Sequence, residues 1–114
     1  MDTQTHNGEQ EKQRLTSLIG LCRRAGRLGC GSEKIVADLT KGNVALVLLS
    51  CDCSERTRKQ ITDKCASHKV RLLALPLNKA ELGKACGLTE LSGCSVTDNG
   101  FAKAIAALAE SAQF

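Results

Sequence analysis

Tryptophan and tyrosine are absent from this 114-residue chain, and phenylalanine occurs only at Phe101 and Phe114. Without aromatic rings there are no stacking platforms of the kind that sheet-surface proteins use to hold single-stranded bases. Long apolar runs are also missing. Nothing approaches the ~18 residues needed to span a bilayer, and no signal peptide is visible, so the expectation is a soluble, cytoplasmic protein with no membrane contact. The Walker pattern is absent. Gly26, Gly29 and Gly31 stand in the order GxxGxG, not GxGxxG, with no long buried strand before them and no acidic residue to hold a ribose after them, so no nucleotide cofactor is expected. Catalytic groups are equally sparse. The two histidines, His6 and His68, sit in a polar tail and at a helix end, and no nucleophile–base–acid spacing can be drawn, so the chain is not expected to be an enzyme.

Cysteine is abundant: Cys22, Cys30, Cys51, Cys53, Cys65, Cys86 and Cys94. An odd count set within apolar patterns argues against a secreted disulfide framework. The nearest approach to a metal signature is Cys51-x-Cys53 followed by Cys65-x-x-His68. A CxC pair is a poor tetrahedral clip beside CxxC, and no second CxxC completes a ribbon. Reduced thiols acting as small buried hydrophobes are the expectation, with no metal.

Charge is present and unevenly placed. The net charge is +4, but residues 12–71 hold thirteen Lys and Arg against five acids, a local +8, while the remainder carries −4. A basic stretch of this kind is the electrostatic footprint of a protein that meets a polyanion.

The apolar pattern alternates between helical and extended periods. Leu15, Leu18, Ile19 and Cys22 form the stripe of a helix ending near Gly26, and an extended piece spans Arg27–Gly29. A second helix runs from about Ser32 to Lys41, closed by Gly42. Val44–Ser50 reads as a strand buried on both faces. Ser54 caps a helix to about Ser67, Val70–Leu75 is a strand stopped by Pro76, and Asn78 with Glu81 forms a capping box for a short helix ending at Gly87. Ser92–Thr97 reads as a last strand, and Asp98 caps a helix whose stripe is Phe101, Ala104, Ile105 and Leu108. Strands alternating with helices predict an α/β fold with helices on both sheet faces. Residues 1–12 are polar and unpatterned and read as a disordered tail, with residues 13–114 as one domain.

The start of the second helix is the strongest functional signal. The first amides of a helix lack intrahelical partners and lie at the positive end of its dipole, a ready anion site. Gly31 and Ser32 permit close approach of a phosphate backbone, and Arg23, Arg24, Arg27, Lys34 and Lys41 surround the segment in sequence. Ser32 also serves as a plain N-cap in this reading. The basic residues around the third helix, Arg56, Arg58, Lys59 and Lys64, read as a solvated face.

Three stretches resemble a known family. Gly31-Ser32-Glu33-Lys34 through Lys41-Gly42, the segment Glu81-Leu82-Gly83-Lys84-Ala85-Cys86-Gly87, and Val96-Thr97-Asp98-Asn99-Gly100-Phe101-Ala102-Lys103-Ala104 are similar to the ribosomal L-seven-Ae / L-thirty-e family of kink-turn RNA-binding proteins. Leu21-Cys22-Arg23-Arg24-Ala25-Gly26-Arg27-Leu28 points to its small bacterial branch, and the similarity spans about Leu15 to Ala109. The resemblance implies a three-layer α/β/α sandwich around a four-stranded mixed sheet. It also implies an RNA site at the second helix's start, where the family carries Gly-x-Asn-Glu and a lysine three residues on. Glu33, Lys34 and Ala37 replace those last three residues here. Glu only accepts where Asn donates and accepts, and Lys puts a point charge where the family has a carboxylate. An apolar loop that covers a flipped-out base corresponds to Leu91, Ser92, Gly93, Cys94 and Ser95. The expected RNA-binding residues are therefore Arg23, Arg24, Arg27, Gly31, Ser32, Glu33, Lys34, Lys41, Gly93, Cys94 and Ser95. Glu33 either accepts from a guanine edge or favours the helix dipole. The expected protein is a monomeric, non-enzymatic binder of structured RNA, ribosomal or noncoding and with the ribosome as a candidate site of action. The alternative is a protein-interaction module on the same fold.

Overall fold

A buried apolar strand at the middle of a sheet organises the chain. In the computed structural model, which describes residues 3–111 and the side chains of residues 9–110, this strand is β2 (Leu46–Leu49). Its neighbours are β1 (Leu28–Cys30), β3 (Leu72–Ala74) and β4 (Gly93–Val96), in the order β1-β4-β2-β3. β2 and β3 are parallel, while β4 runs antiparallel to both β1 and β2. Among the described residues the helices are α1 (Thr3–Arg24), α2 (Ser32–Lys41), α3 (Glu55–His68), α4 (Lys79–Ala85) and α5 (Asn99–Ser111). The sheet is mixed and four-stranded, and helices cover both faces.

The two-residue period of a strand sorts the core into halves. Leu46 and Leu48 of β2, with Cys94 and Val96 of β4, face α1, α4 and α5, where Leu15, Ile19, Leu82 and Ile105 are fully buried. Val47 and Leu49 point the other way, into a smaller core with Ile35, Leu39, Ile61 and Cys65 from α2 and α3. This is the expected three-layer α/β/α sandwich.

Two expectations are corrected. The tail assigned to residues 1–12 is helical in its backbone from Thr3 onward, and Met1 and Asp2 lie outside the described residues. Once Leu15, Ile19 and Cys22 anchor α1, adding turns of Glu, Gln and Lys costs little, because propagation is far easier than nucleation. In α5 the buried stripe is Ala102, Ile105, Ala106 and Ala109, whereas Ala104 is exposed and Phe101 and Leu108 are only half-buried. Small alanines let α5 lie close to β4 and α1, so the largest residues of the pattern fall at its margins.

Caps close most helix ends as the sequence predicts. Ser54 accepts from the Thr57 amide at the start of α3. The Asn78–Glu81 box is complete in both directions, and Asp52 also accepts from the Lys79 amide. The Asp98 carboxylate accepts from the Phe101 amide.

Candidate nucleic-acid interface

β1, β2 and β3 all point the same way, so their carboxyl ends and the starts of α2, α3 and α4 gather at one edge of the sheet. α3 and α4 have side-chain caps there. α2 does not: its N-cap is Gly31, with φ 98° and ψ 155°, and no side chain bonds the first-turn amides. Ser32, expected as a cap, is instead the first helical residue. Gly31 donates its amide to the Gly93 carbonyl at 3.1 Å, which ties this open start to the first residue of β4.

Close packing sets the position of α2. Gly29, Gly93 and Ser95 present almost no side-chain bulk on the sheet face beneath it. A Cβ at Gly29 would lie 2.5 Å from Asp38 Oδ2 and 2.7 Å from both Lys34 Cγ and Ser95 Oγ. Within this narrow contact the Ser95 hydroxyl donates to Asp38 Oδ2 at 2.8 Å. Asp38 in turn holds the Lys34 ammonium at 3.1 Å, with the Asp38 side chain 4% exposed and that of Lys34 51% exposed. The pair is half in water, so its direct contribution is a few tenths of a kcal/mol. Its larger effect is positional, since it holds a cation beside the first turn of α2.

Of the expected basic set, Arg23 and Lys34 reach the helix start. Arg23 does so from α1, donating Nη1 to the Cys30 sulfur, one residue before Gly31, at 2.9 Å. Glu33 is exposed in the same turn. Arg24 instead lines a groove between α1 and α4 with Thr16, Gly20, Lys84 and Ala85. Arg27 precedes β1 at the far edge of the sheet, and Lys41 ends α2, ten residues and about 15 Å from its start. The basic residues therefore do not all converge on Gly31.

Gly93, Cys94 and Ser95 are corrected outright. They form β4, in the interior of the sheet and fully buried, and cannot be a base-covering loop. Gly93 sits against Leu48, Leu49 and Ile35, Cys94 is in the larger core, and Ser95 holds Asp38. The loop itself is residues 87–92. It folds back on α4, with the Leu88 amide donating to the Gly83 carbonyl at 2.8 Å and the Leu91 amide to the Lys79 carbonyl at 3.0 Å. A Cβ at Gly83 would meet the Glu90 backbone at 2.8 Å, so this glycine is what lets the loop lie flat. Leu88 is left 39% exposed on it. Leu88, and Lys84 in the groove beside Arg24, lie on this edge and were not among the residues expected from the sequence. The signal was Gly87, whose positive φ of 75° ends α4 and starts the loop there.

The metal-like cysteine set does not assemble. α3 spans Glu55–His68, 14 residues or about 21 Å, and so separates Cys51 and Cys53 from the exposed His68. Cys53 and Cys65 pack in the smaller core.

Fold and site together define a class: an α/β/α sandwich that leaves one helix start open and basic at the carboxyl edge of its sheet. Residues 13–106 match the Ribosomal protein L7Ae/L30e/S12e/Gadd45 family, and the chain belongs to that family. It is 35% identical over 95 residues to the RNA-binding protein YlxQ of Enterococcus faecium, covering 83% of this chain and 90% of that protein. With the RNA-binding protein YlxQ of Bacillus subtilis (strain 168) the identity is 34% over 91 residues, covering 80% and 90%. A solved structure of a protein of unknown function from Bacillus halodurans C superposes with a TM-score of 0.79 at 38% identity, covering 84% of this chain and 96% of that one.

Proposed function

We propose that this protein is a non-enzymatic, cytoplasmic binder of structured RNA, ribosomal or noncoding, that acts as a monomer through the edge where α2 begins. The observation that carries the proposal is the uncapped start of α2, flanked by Arg23 and Lys34 and bordered by the loop 87–92. Its relatives among the YlxQ RNA-binding proteins support an RNA partner over a protein-interaction module. Backbone amides of Ser32 and Glu33 and the cations beside them neutralise phosphates, Leu88 offers an apolar surface to an unstacked base, and Glu33 accepts from a base edge. Arg24 with Lys84, and Arg27 and Lys41 further out, add phosphate contacts along the duplex.

Affinity for a structured RNA over a salt series tests this. Binding should weaken steeply as salt rises. Lys34→Ala and Arg23→Ala should each weaken it by roughly threefold to tenfold and lower the salt slope by up to about 1. Lys41→Ala should do less. Negligible retention at ~50 mM salt would sink the proposal.

A further inference from the structure

The corner of the sheet diagonally opposite Gly31 carries cations that the α2 start does not use. Gly31 follows the carboxyl end of β1, whereas Arg71 precedes the amino end of β3. β1 and β3 are the outer strands, three strand spacings or about 14 Å apart. Arg71 is fixed at this corner by its carbonyl, which accepts from the Val47 amide at 3.0 Å. Its side chain pairs with Glu110 and lines an open cleft with Asn99 and Lys103 of α5, over Ala45 and Ala106. Lys69 stands two residues before Arg71, at the end of α3. All three cations are exposed. Among the described residues, neither Lys69 nor Lys103 is ion-paired, and the nearby Asp98 carboxylate is engaged by the Phe101 amide. Lys69 adds an observation independent of charge. It closes α3 with φ 57° and ψ 43°, and among the described residues it is the one other than glycine with a positive φ. Glycine is the usual residue in that conformation, and the turns after α1, α2 and α4 use it, at Gly26, Gly42 and Gly87. A lysine kept where the backbone favours glycine points to its side chain as what the position supplies.

We propose that this corner is a second RNA-binding surface, which holds the phosphate backbone of a segment separate from the one at α2, so that one chain joins two RNA segments. The proposal rests on the reading of the α2 start as an RNA site. The layout decides the kind of partner. Cations spread along an open surface suit the successive phosphates of a nucleic acid, because each neutralised phosphate releases counterions without needing an enclosing pocket. The cleft floor is alanine and no aromatic ring lines it, so it offers a base no stacking platform. Lys69, Arg71 and Lys103 therefore neutralise phosphates, and the Asn99 side chain bonds a phosphate oxygen or a ribose hydroxyl. Contacts of this kind position a duplex and carry no sequence information. The diagonal placement keeps the two surfaces apart: a backbone lying across Gly31 is a strand's length and the width of the sheet away from Arg71.

A kinked RNA fixed to beads, saturated with the full chain and then offered a labelled plain RNA duplex at ~50 mM salt, tests the assignment. The duplex should be retained only where protein is present on the bead. Lys69→Gly, Arg71→Gln and Lys103→Gln together should lower that retention by roughly tenfold or more, and should change affinity for the bead RNA by less than about twofold. Lys69→Gly removes the cation while relieving the left-handed turn, and the other two side chains are exposed, so a loss of binding is not a loss of fold. Free protein carrying Arg23→Ala and Lys34→Ala should lose affinity for the kinked RNA yet keep the duplex. If the α2 reading alone is wrong, wild-type protein will not hold the bead RNA, but the free chain will still bind the duplex through these three cations. Displacement of the bead RNA by the duplex would overturn the proposal, since it means one shared surface. So would equal duplex retention by the triple variant, or capture of phosphatidylserine vesicles by this corner with no capture of the duplex.

Discussion

Glu33, Lys34 and Ala37 are where this chain parts from the pattern that its family resemblance implies. Glu33 and Ala37 are exposed on α2 and meet no core, whereas Lys34 is held by the buried Asp38. Replacing Glu33 by Asn and Ala37 by Lys, with Lys34 kept on Asp38, should raise affinity for a kinked RNA carrying tandem G·A pairs by at least tenfold, since a good bidentate base contact is worth about 1–3 kcal/mol. Titration of wild-type and double variant against that RNA and a plain duplex measures it, and equal gains on both RNAs would refute base-edge reading. Gly29 is the opposite kind of position. A methyl group there collides with Asp38, Lys34 and Ser95 at once, so Gly29→Ala should lower stability by about 1–3 kcal/mol, seen as a reduced urea midpoint. The Ser95–Asp38–Lys34 chain was not legible beforehand, because Asp38 and Ser95 are 57 residues apart and only the pairing of β1 with β4 brings them together under α2.

Helices and strands were largely predictable here, for local reasons. α2 has the bounds that its flanking glycines suggest, and α3 and α4 start at the caps that Ser54 and Asn78 announce. Short-range hydrogen bonds and the helical period decide such features within a few residues. The misplaced loop shows the limit. The apolar pattern reads Ser92–Thr97 as a strand while the resemblance puts a loop over Leu91 to Ser95, and the β4 ladder, with Ser95 opposite Val47 and Gly93 opposite Leu49, decides for a strand from Gly93 onward. The contrast between helix starts gives a prediction of its own. Asn78→Ala should cost about 1 kcal/mol of stability and leave RNA affinity unchanged. Gly31→Ala forces a side chain into a backbone region with φ 98°, should cost about 1–3 kcal/mol, and should also weaken RNA binding. Thermal melts and binding curves on the two variants separate capping from function.

For the molecule as a whole, buried thiols make stability depend on pH. Burial first, then the charges of Asp98 and Cys30, push the Cys22 thiol from 9.0 up to about 11, and desolvation raises Cys65 and Cys94 as well. For each raised thiol the unfolded chain loses its proton first. Their contribution is therefore complete below about pH 9 and is lost as pH climbs toward 11, at up to about 1.4 kcal/mol per pH unit per thiol. Cys30, lowered, works in the opposite sense, and its contribution is lost as pH falls below the ordinary thiol range. Below pH 9 the lowered Cys30 is the thiol that contributes a slope, so Tm should rise toward pH 9 and then fall between pH 9 and 11, where the more numerous raised thiols dominate. A Tm that rises over that interval would contradict the burial of these thiols.

Local chemistry in the chain was enough to specify the alternation of elements, the strand buried on both faces, the capped helices and a basic segment around a glycine-opened helix start. These depend on interactions between residues a few positions apart, which leave a periodic or compositional trace. Which cations actually reach that start, which loop borders it and which cysteines share a corner depend on strand order. The order β1-β4-β2-β3 sets Gly93 beside Gly31, while Arg27 and Lys41 fall at the far edge. Contacts between residues tens of positions apart leave no local pattern, so they became visible only once the sheet had brought those segments together.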